Sequence, residues 1–184
     1  KKKKKIKIIL TLYRGGSAEN VKEFYNLKKK YKCYLIEDAC HAFGSEYIHN
    51  KKRIKIGSCK HSDFCCFSFH PIKAITTGEG GLITSKSKIL GNKLRKIRSH
   101  GLIKNKNKYW KYYSDRIGMN YRLSDINCAL GISQLKKINF FIKKRRAISS
   151  IYKDNLKKYV NFLSIPNYEF IKYNSWHLYI VKIN

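Results

Sequence analysis

Acidic residues are scarce in this sequence. Only 11 of its 184 residues are Asp or Glu, against 41 Lys or Arg, so the formal net charge at pH 7 is +30. A charge of this size is typical of proteins that bind nucleic acid or another polyanion. The sequence lacks zinc-finger spacing, an RNP-like aromatic motif and a basic heptad pattern. We therefore interpret the charge as a solvated face with some affinity for phosphate-bearing ligands, and keep a non-catalytic basic nucleic-acid-binding module as an alternative.

Three further patterns are missing. No C-x-x-C pair occurs among the six cysteines, and most of them lie in apolar segments, which is typical of reduced thiols in a cytoplasmic protein. The spacing of Cys59, His61, Cys65 and His70 matches no familiar zinc site, so we predict no metal. No apolar run approaches the length of a membrane-spanning helix, so we predict no membrane partner.

Lysine and arginine are themselves scarce in two segments. A 25-residue window of this composition would hold about five or six of them. The window His61–Ser85 holds one, Lys73, and the stretch Cys33–Asn50, which contains Asp38 and His41, holds none. Burial in core strands explains most of this depletion. It does not explain why one lysine remains beside a glycine-rich turn, so we interpret Lys73 as a functional amine.

Strands dominate the first half of the predicted structure. A turn at 14–17 precedes a helix over Ala18–Lys30, for which Ser17 is a suitable N-cap. A strand, helix and strand within about thirty residues form a βαβ unit with parallel strands, which gather ligands at their carboxyl ends, where Asp38 falls. Ala39–Gly44 is predicted as a helical turn. The predicted strands are Ile6–Tyr13, Tyr34–Ile36, Ile54–Ile56, Phe64–Phe69 and Leu82–Thr84.

Helices dominate the second half. Helices are predicted over Ser87–His100, from Ser124 to about Leu135, and over Ile138–Leu156. The last helix is predicted to turn Phe141, Ile142, Ile148 and Ile151 inward. Leu102–Met119 has no clear period and is predicted to be a long exposed loop. The final predicted strand is Trp176–Ile183.

The polar residues of the two basic-free segments suggest a pyridoxal phosphate (PLP) site. The Lys73 amine can attack an aldehyde, and the Asp38 carboxylate can hold a protonated pyridine nitrogen, which keeps the ring electron-poor. His41 can bind a ring substituent, while Ser68 and nearby backbone N–H groups can bind a phosphate. Each residue alone also has an ordinary structural explanation. Together, at one edge of one sheet, they favour a PLP site.

Seven segments carry a family resemblance. The sequence resembles the DegT/StrS-type PLP-dependent nucleotide-sugar aminotransferases over nearly its whole length, and its SFHPIKAITTGEGG and SHG segments most resemble the pseudaminic acid branch. The segments are IEDACHAFG at 36–44, GS at 57–58, FSFHPIKAITTGEGG at 67–81, RSHG at 98–101, GMNYR at 118–122, ALGISQL at 129–135 and WHLY at 176–179.

The resemblance implies the α/β fold of the aspartate-aminotransferase type, fold type I. Residues 1–122 would be the C-terminal part of the PLP-binding large domain, and residues 123–184 the start of the smaller C-terminal domain. The N-terminal part of the large domain, with its phosphate turn and ring-stacking aromatic residue, would be missing, as would the end of the small domain. We therefore expect the chain to be a fragment.

The resemblance also implies roles for individual residues. Lys73 would form the Schiff base with the cofactor and shuttle protons, and Asp38 would hold the pyridine nitrogen. His41 would lie near the ring hydroxyl and Ser68 would contact the phosphate. Asn120 would reach the phosphate of the neighbouring subunit's cofactor, which makes the active unit a homodimer.

The implied reaction moves an amino group from an amino acid, L-glutamate, to the C4 keto carbon of a nucleotide-linked deoxy-sugar, in cell-surface glycan or pseudaminic acid biosynthesis. His70 and His177 would contact the nucleotide-sugar. A sugar dehydratase of the same family is the alternative within PLP chemistry. Histidine replaces the Schiff-base lysine in those dehydratases, so Lys73 argues against it.

Overall fold

A computed structural model of the chain describes residues 5–105, 107–108, 110–167 and 173–184. In chain order its elements are β1 (Ile8–Leu12), α1 (Val21–Tyr31), β2 (Tyr34–Asp38), β3 (Glu46–His49), β4 (Lys52–Lys55), β5 (Phe64–Ser68), β6 (Gly81–Thr84), α2 (Lys88–Arg98), β7 (Leu102–Lys104), β8 (Tyr112–Ser114), α3 (Asp125–Lys136), α4 (Ile138–Leu156), β9 (Leu163–Ser164) and β10 (Lys182–Ile183). Within these described ranges, no helix is long and apolar enough to cross a lipid bilayer.

The central sheet has four strands in the order β1-β2-β5-β6. The first three are parallel, with Leu12 beside Asp38 and Asp38 beside Cys66, and β6 runs antiparallel to β5. The predicted βαβ unit of β1, α1 and β2 is therefore confirmed. Because the parallel strands end at one edge, Asp38 and Ser68 lie at the same edge of the sheet.

One face of this sheet forms the core. Leu35 and Cys65 are fully buried there, and Phe67 packs in the same apolar cluster as Tyr13 and Val21 of α1. Glu37 is buried on this face as well, where it accepts a hydrogen bond of 2.8 Å from the Tyr13 hydroxyl. Burial outweighs that hydrogen bond and raises the pKa of Glu37. The core therefore includes a buried carboxyl group adjacent in sequence to Asp38.

Two predictions near the N-terminus were wrong. Helix α1 begins at Val21 rather than Ala18, and Asn20 occupies the N-cap without a side-chain cap. The Ser17 hydroxyl donates instead to Glu19 at 2.5 Å, so it is not available to cap the helix. Residues 39–44 form turns rather than a helical turn, because Asp38 accepts from the Cys40 N–H and holds the chain in a tight turn.

Two hairpins were not predicted. β3 pairs with β4 across Asn50 and Lys51, which both have positive φ, the backbone geometry of a tight two-residue hairpin turn. β7 pairs with β8, so Leu102–Met119 is not the long loop that was expected. These strands are three or four residues long and rich in Lys, Arg and Tyr, which obscures an alternating apolar pattern.

The C-terminal helices follow the prediction closely. Ser124 caps α3 by accepting from the Asn127 N–H, and α4 has the predicted bounds. On α4, Ile142 is buried, whereas Ile148 and Ile151 are exposed, so their predicted inward orientation was wrong.

The predicted final strand Trp176–Ile183 was also wrong. Only its end, β10, pairs with another strand, β9. The backbone of residues 174–178 bonds instead with the turn at 14–16 and with side chains of other elements. The predicted domain boundary after residue 122 falls between β8 and α3.

Candidate active site

The site begins where β2 and β5 end. Asp38 lies beside Cys66 in register, and the Ala39 N–H continues the ladder by donating to the Cys66 carbonyl at 2.9 Å. Ser68, two residues after Cys66, ends β5 at the same edge. The structure therefore places a carboxylate and a hydroxyl, one strand apart, at the carboxyl edge of a parallel sheet.

Lys73 lies in a closed loop that follows β5. The Phe69 N–H donates to the Gly80 carbonyl at 2.9 Å and closes the loop, and the Lys73 N–H donates to the His70 carbonyl at 2.9 Å. Ile75 is buried and anchors the loop to the core. Lys73 itself is half-buried. Among the described residues, no carboxylate lies within ion-pair distance of its amine, so the amine is not held by an ion pair.

Asp38 and His41 are held by backbone N–H groups. Asp38 Oδ1 accepts from the Cys40 N–H at 3.1 Å, and His41 Nδ1 accepts from the Gly15 N–H at 3.3 Å. Because Nδ1 accepts, the neutral His41 ring carries its proton on Nε2. Burial is the main cause that lowers the pKa of His41; the Lys73 charge adds to it and Asp38 opposes it. The charges of Lys73 and Asp38 therefore both act on the His41 ring.

His177 joins this cluster from the far end of the chain. Its ring lies against the His41 ring with centroids 4.3 Å apart. The residue is 8% exposed, and in the described part of the chain its buried Nδ1 has no hydrogen-bond partner. Burial, followed by the nearby His41 and Lys73, lowers the pKa of His177 to about 4. His177 is therefore a neutral ring near the Lys73 amine, with one unsatisfied nitrogen.

The segment that carries His177, residues 174–178, is called here the C-terminal strap. The Ser175 N–H donates to Ser45 Oγ at 2.9 Å, and the His177 N–H donates to the Gly15 carbonyl at 3.1 Å. Arg145 of α4 donates to the Trp176 carbonyl at 3.1 Å and to the His177 carbonyl at 3.4 Å. These bonds hold the strap against both the first turn and the long helix.

Gly16 permits the close packing of the strap. Its φ is +104°, a conformation that favours glycine. A Cβ on Gly16 would lie 2.8 Å from the His41 carbonyl oxygen and 2.9 Å from Ser175 Oγ. A larger residue at this position would push the strap away from His41.

The side chains of the remaining predicted residues make other contacts. Ser68 is half-buried, and its Oγ accepts from the His70 N–H at 3.3 Å. His70 is exposed, with Nε2 3.9 Å from Glu79 Oε1. Asn120 is exposed and forms an isolated backbone bridge with Ser99. The structure therefore brings Lys73, Asp38, His41 and His177 together, and none of their described contacts includes Asn120.

Sequence reasoning missed the residues that support the cluster. Gly15 and Gly16 were interpreted only as a turn, although a Gly-Gly pair after a buried strand signals close backbone approach. Arg145 lies in the lysine- and arginine-rich run KKRR of α4, where nothing in the sequence distinguishes it from its neighbours. Ser45 and Ser175 are 130 residues apart, and no local pattern connects them.

The stability of the chain is expected to depend on pH through His177. Above the ordinary histidine pKa of 6.5, the His177 ring is neutral in both the folded and the unfolded chain. As pH falls from 6.5 towards about 4, the unfolded chain binds the proton first, so the free energy of unfolding decreases. The free energy of unfolding can be measured in urea at about pH 7.5 and about pH 5. Its decrease between these two pH values should be about 1–2 kcal/mol smaller in His177→Gln than in the wild type. The exposed His70→Gln is the control, and equal pH dependence in both variants would contradict the assignment.

The fold and this edge define a class of protein. It is an α/β protein with a lysine, a carboxylate and two histidines at the carboxyl edge of a parallel sheet. Comparison with known sequences identifies the family: the DegT/DnrJ/EryC1/StrS aminotransferase family matches residues 2–184. The chain belongs to this family.

Relatives and solved structures agree with this assignment. A UDP-4-amino-4,6-dideoxy-N-acetyl-beta-L-altrosamine transaminase of Campylobacter jejuni subsp. jejuni serotype O:23/36 is 44% identical over 171 residues, which cover 92% of this chain and 43% of that protein. An aminotransferase of Helicobacter pylori involved in the biosynthesis of pseudoaminic acid is 30% identical with a TM-score of 0.83, covering 97% of this chain and 46% of that one.

A third similar structure bears on the alternative function. The GDP-4-keto-6-deoxy-D-mannose-3-dehydratase of E. coli, solved with bound hydrated PLP, is 25% identical with a TM-score of 0.81 over 97% of this chain and 47% of that one. These neighbours confirm the predicted fold class, α/β of the aspartate-aminotransferase type. The chain spans less than half the length of the relatives that it matches.

Proposed function

We propose that this chain is part of a PLP-dependent aminotransferase that moves an amino group onto the keto carbon of a nucleotide-linked sugar. The observation that carries the proposal is the placement of Lys73 in a closed loop beside Asp38 and His41, in a member of an aminotransferase family. We call the chain together with the rest of the family fold the assembled enzyme.

The residues of the site fit PLP. The Lys73 amine has no ion-pair partner in the described chain, so it can bond to an aldehyde. The second oxygen of Asp38 can accept the proton of a pyridinium nitrogen while Oδ1 keeps its bond to the Cys40 N–H. The unpartnered Nδ1 of His177 is a buried polar atom that a bound polar group would satisfy. When bound, PLP supplies an electron sink for the carbon that changes its amino group.

The residues of the chain then hold and move protons. With PLP bound, Lys73 would hold the cofactor, and its amine could donate and accept a proton at the sheet edge, where its loop keeps it. His41 presents Nε2–H as a donor because Nδ1 is occupied by the Gly15 N–H. Asp38 is proposed to stabilise positive charge on the ring nitrogen. Ser68 is proposed to donate to the cofactor phosphate.

The substrate class is proposed from the relatives. The Campylobacter jejuni relative is a UDP-linked amino-sugar transaminase, and the Helicobacter pylori structure belongs to pseudoaminic acid biosynthesis. We propose L-glutamate as the amino donor and the C4 keto carbon of a UDP-linked deoxy-sugar as the acceptor. The test is to incubate the assembled enzyme with PLP, L-glutamate and such a keto-sugar, and to determine the product by mass spectrometry. An amino-sugar nucleotide is expected.

A sugar dehydratase is the second candidate, favoured by the likeness to the E. coli dehydratase. By the family resemblance a dehydratase would have histidine at this position, so Lys73 argues against it. The same incubation separates the two, because a dehydratase would yield a deoxy-sugar nucleotide that contains no new nitrogen. Salt-dependent retention of DNA or RNA, with no uptake of PLP, would support the basic binding module instead.

We propose a homodimer in which Asn120 reaches the cofactor phosphate of the neighbouring subunit. Asn120 is exposed, as a residue that serves another subunit must be. If Lys73→Arg and Asn120→Ala assembled enzymes are each inactive, mixing and reassembling them should restore about a quarter of the activity, since a mixed dimer has one intact site. No recovery after proven subunit exchange would contradict a shared site.

We further propose a cytoplasmic enzyme with a domain boundary after residue 122. All six cysteines are free, which suits a reducing compartment. The boundary separates the sheet that carries Lys73 and Asp38 from helices α3 and α4.

A further inference from the structure

The second half of the loop that carries Lys73 is bonded to itself. The Thr77 N–H donates to the Phe69 carbonyl at 3.0 Å, and the Thr77 hydroxyl donates to the Glu79 carbonyl at 2.8 Å. Thr77 is 3% exposed, so water does not compete for these bonds. They fix the shape of this half of the loop. Its position relative to the rest of the chain depends on contacts with other elements.

Asn127 of α3 supplies such a contact. Its Nδ2 donates to the Thr77 carbonyl and, at 3.4 Å, to the Glu79 carbonyl. Carbonyl oxygens only accept hydrogen bonds, so the amide nitrogen of Asn127 faces the loop. Oδ1 of the same side chain accepts from the Ser124 hydroxyl. The Asn127 amide therefore joins the first turn of α3 to a loop that lies 50 residues earlier in the sequence.

Gly131 allows α3 to lie this close to the loop. It is four residues after Asn127, so both lie on the same face of the helix. A Cβ on Gly131 would lie 2.8 Å from Thr77 Cγ2, whereas carbon atoms pack best at about 3.5–4.0 Å. Thr77 is buried and bonded within the loop, so it has little room to move away. The hydrogen bond from Asn127 and the close packing at Gly131 thus act on the same residue of the loop.

We propose that Asn127 is a positioning residue for Lys73, because its amide holds the loop in the place from which the Lys73 amine reaches the cofactor. Asn127 bonds to carbonyls that follow Lys73 in the loop, so it acts through the loop backbone. The contact also crosses the proposed domain boundary after residue 122, and so couples the position of Lys73 to that of α3. The inference rests on the proposed function, in which Lys73 bonds to PLP.

The purely structural alternative is that Asn127 only stabilises the start of α3. Ser124 is the N-cap, and it accepts from the Asn127 N–H at 3.3 Å. Asn127→Asp separates the two roles, because aspartate and asparagine have the same shape. A carboxylate still accepts from the Ser124 hydroxyl and suits the first turn of a helix, but it cannot donate to the loop carbonyls.

The test compares Asn127→Asp with Ser124→Ala in the assembled enzyme without PLP. Amide hydrogen exchange, measured by mass spectrometry, follows the peptide that covers residues 69–80. Its exchange should become about fivefold faster in Asn127→Asp, because the loop loses a hydrogen bond and a carboxylate faces its carbonyl oxygens. Ser124→Ala loses the helix cap but keeps the donation to the loop. It should lower the urea midpoint of unfolding and leave the exchange of this peptide within about twofold of wild type.

A second readout is the binding of PLP, measured by titration of the visible absorbance. The PLP dissociation constant should rise about fivefold in Asn127→Asp and stay within about twofold of wild type in Ser124→Ala. Asn127→Gln keeps the N–H donor on a longer side chain, so it should recover part of the loss. A residue that only stabilised α3 would show neither this split nor this rescue.

Four results would overturn the proposal. The first is unchanged exchange of the 69–80 peptide in Asn127→Asp, and the second is an equal response of Asn127→Asp and Ser124→Ala. The third is an equally large rise in the exchange of α1 and β2, which would show a general loss of stability. The fourth is wild-type PLP affinity in a variant whose loop exchange has risen. If the proposed function fails instead, the wild type also binds no PLP, whereas the faster loop exchange of Asn127→Asp is still expected.

Discussion

Replacement of Lys73 by arginine is expected to abolish both covalent attachment of PLP and transamination by the assembled enzyme. Arginine keeps the positive charge but its guanidinium cannot form an imine with an aldehyde. Lys73 is half-buried, and it is the one lysine in the sequence of the loop that the bond between Phe69 and Gly80 closes, so no other residue in the loop can replace it. Visible absorbance of the loaded enzyme and the rate of amino transfer measure the two effects.

Lysines outside the loop provide the controls. Lys60 and Lys86 flank the window His61–Ser85, and both are exposed. Lys60→Arg and Lys86→Arg should retain attachment and turnover close to wild type. If Lys73→Arg still attached PLP covalently or still catalysed transamination, the assignment of Lys73 as the Schiff-base residue would be wrong.

Asp38→Asn is expected to lower turnover of the assembled enzyme by about 10- to 150-fold, because a charge-assisted hydrogen bond of about 1.5–3 kcal/mol is lost. Asparagine can still accept from the Cys40 N–H, so the turn after β2 should keep its shape. The ring nitrogen would lose its anionic partner, and the cofactor would become a weaker electron sink. Steady-state kinetics and the PLP dissociation constant measure the loss.

Glu37→Gln is the matched control for this prediction. Glu37 is adjacent to Asp38 but lies on the buried face, where it accepts from Tyr13. Its removal should change the free energy of unfolding and leave amino transfer within about threefold of wild type. Near wild-type turnover of Asp38→Asn, or an equal loss in Glu37→Gln, would contradict the proposed role of Asp38.

The sequence was sufficient to predict the sheet edge and its polar residues. Apolar runs that end in polar residues are a local signal, so β2, β5 and the positions of Asp38, Ser68 and Lys73 could be inferred. Capping also acts locally, and Ser124, where the helix over about 124–135 was predicted to begin, caps α3. The seven segments that resemble the family then made it possible to predict the whole fold.

Long-range contacts could not be predicted in the same way. The strap was expected to be a strand because Trp176–Ile183 is rich in apolar residues, but its polar contacts with Ser45, Gly15 and Arg145 outweigh strand pairing. The exposure of two isoleucines on α4 was also not predicted. Ile148 and Ile151 have the helical spacing of a core face, yet both are exposed, since periodicity does not reveal which surface is covered.

Borohydride reduction of the PLP-loaded assembled enzyme, followed by peptide mapping, tests the central claim most directly. Reduction fixes the cofactor to the lysine that holds it, and the chain offers many lysines as competitors, most of them exposed. The account predicts a pyridoxyl adduct on the peptide that contains Lys73 and on no other. An adduct on a different lysine, or none after saturation with PLP, would contradict it.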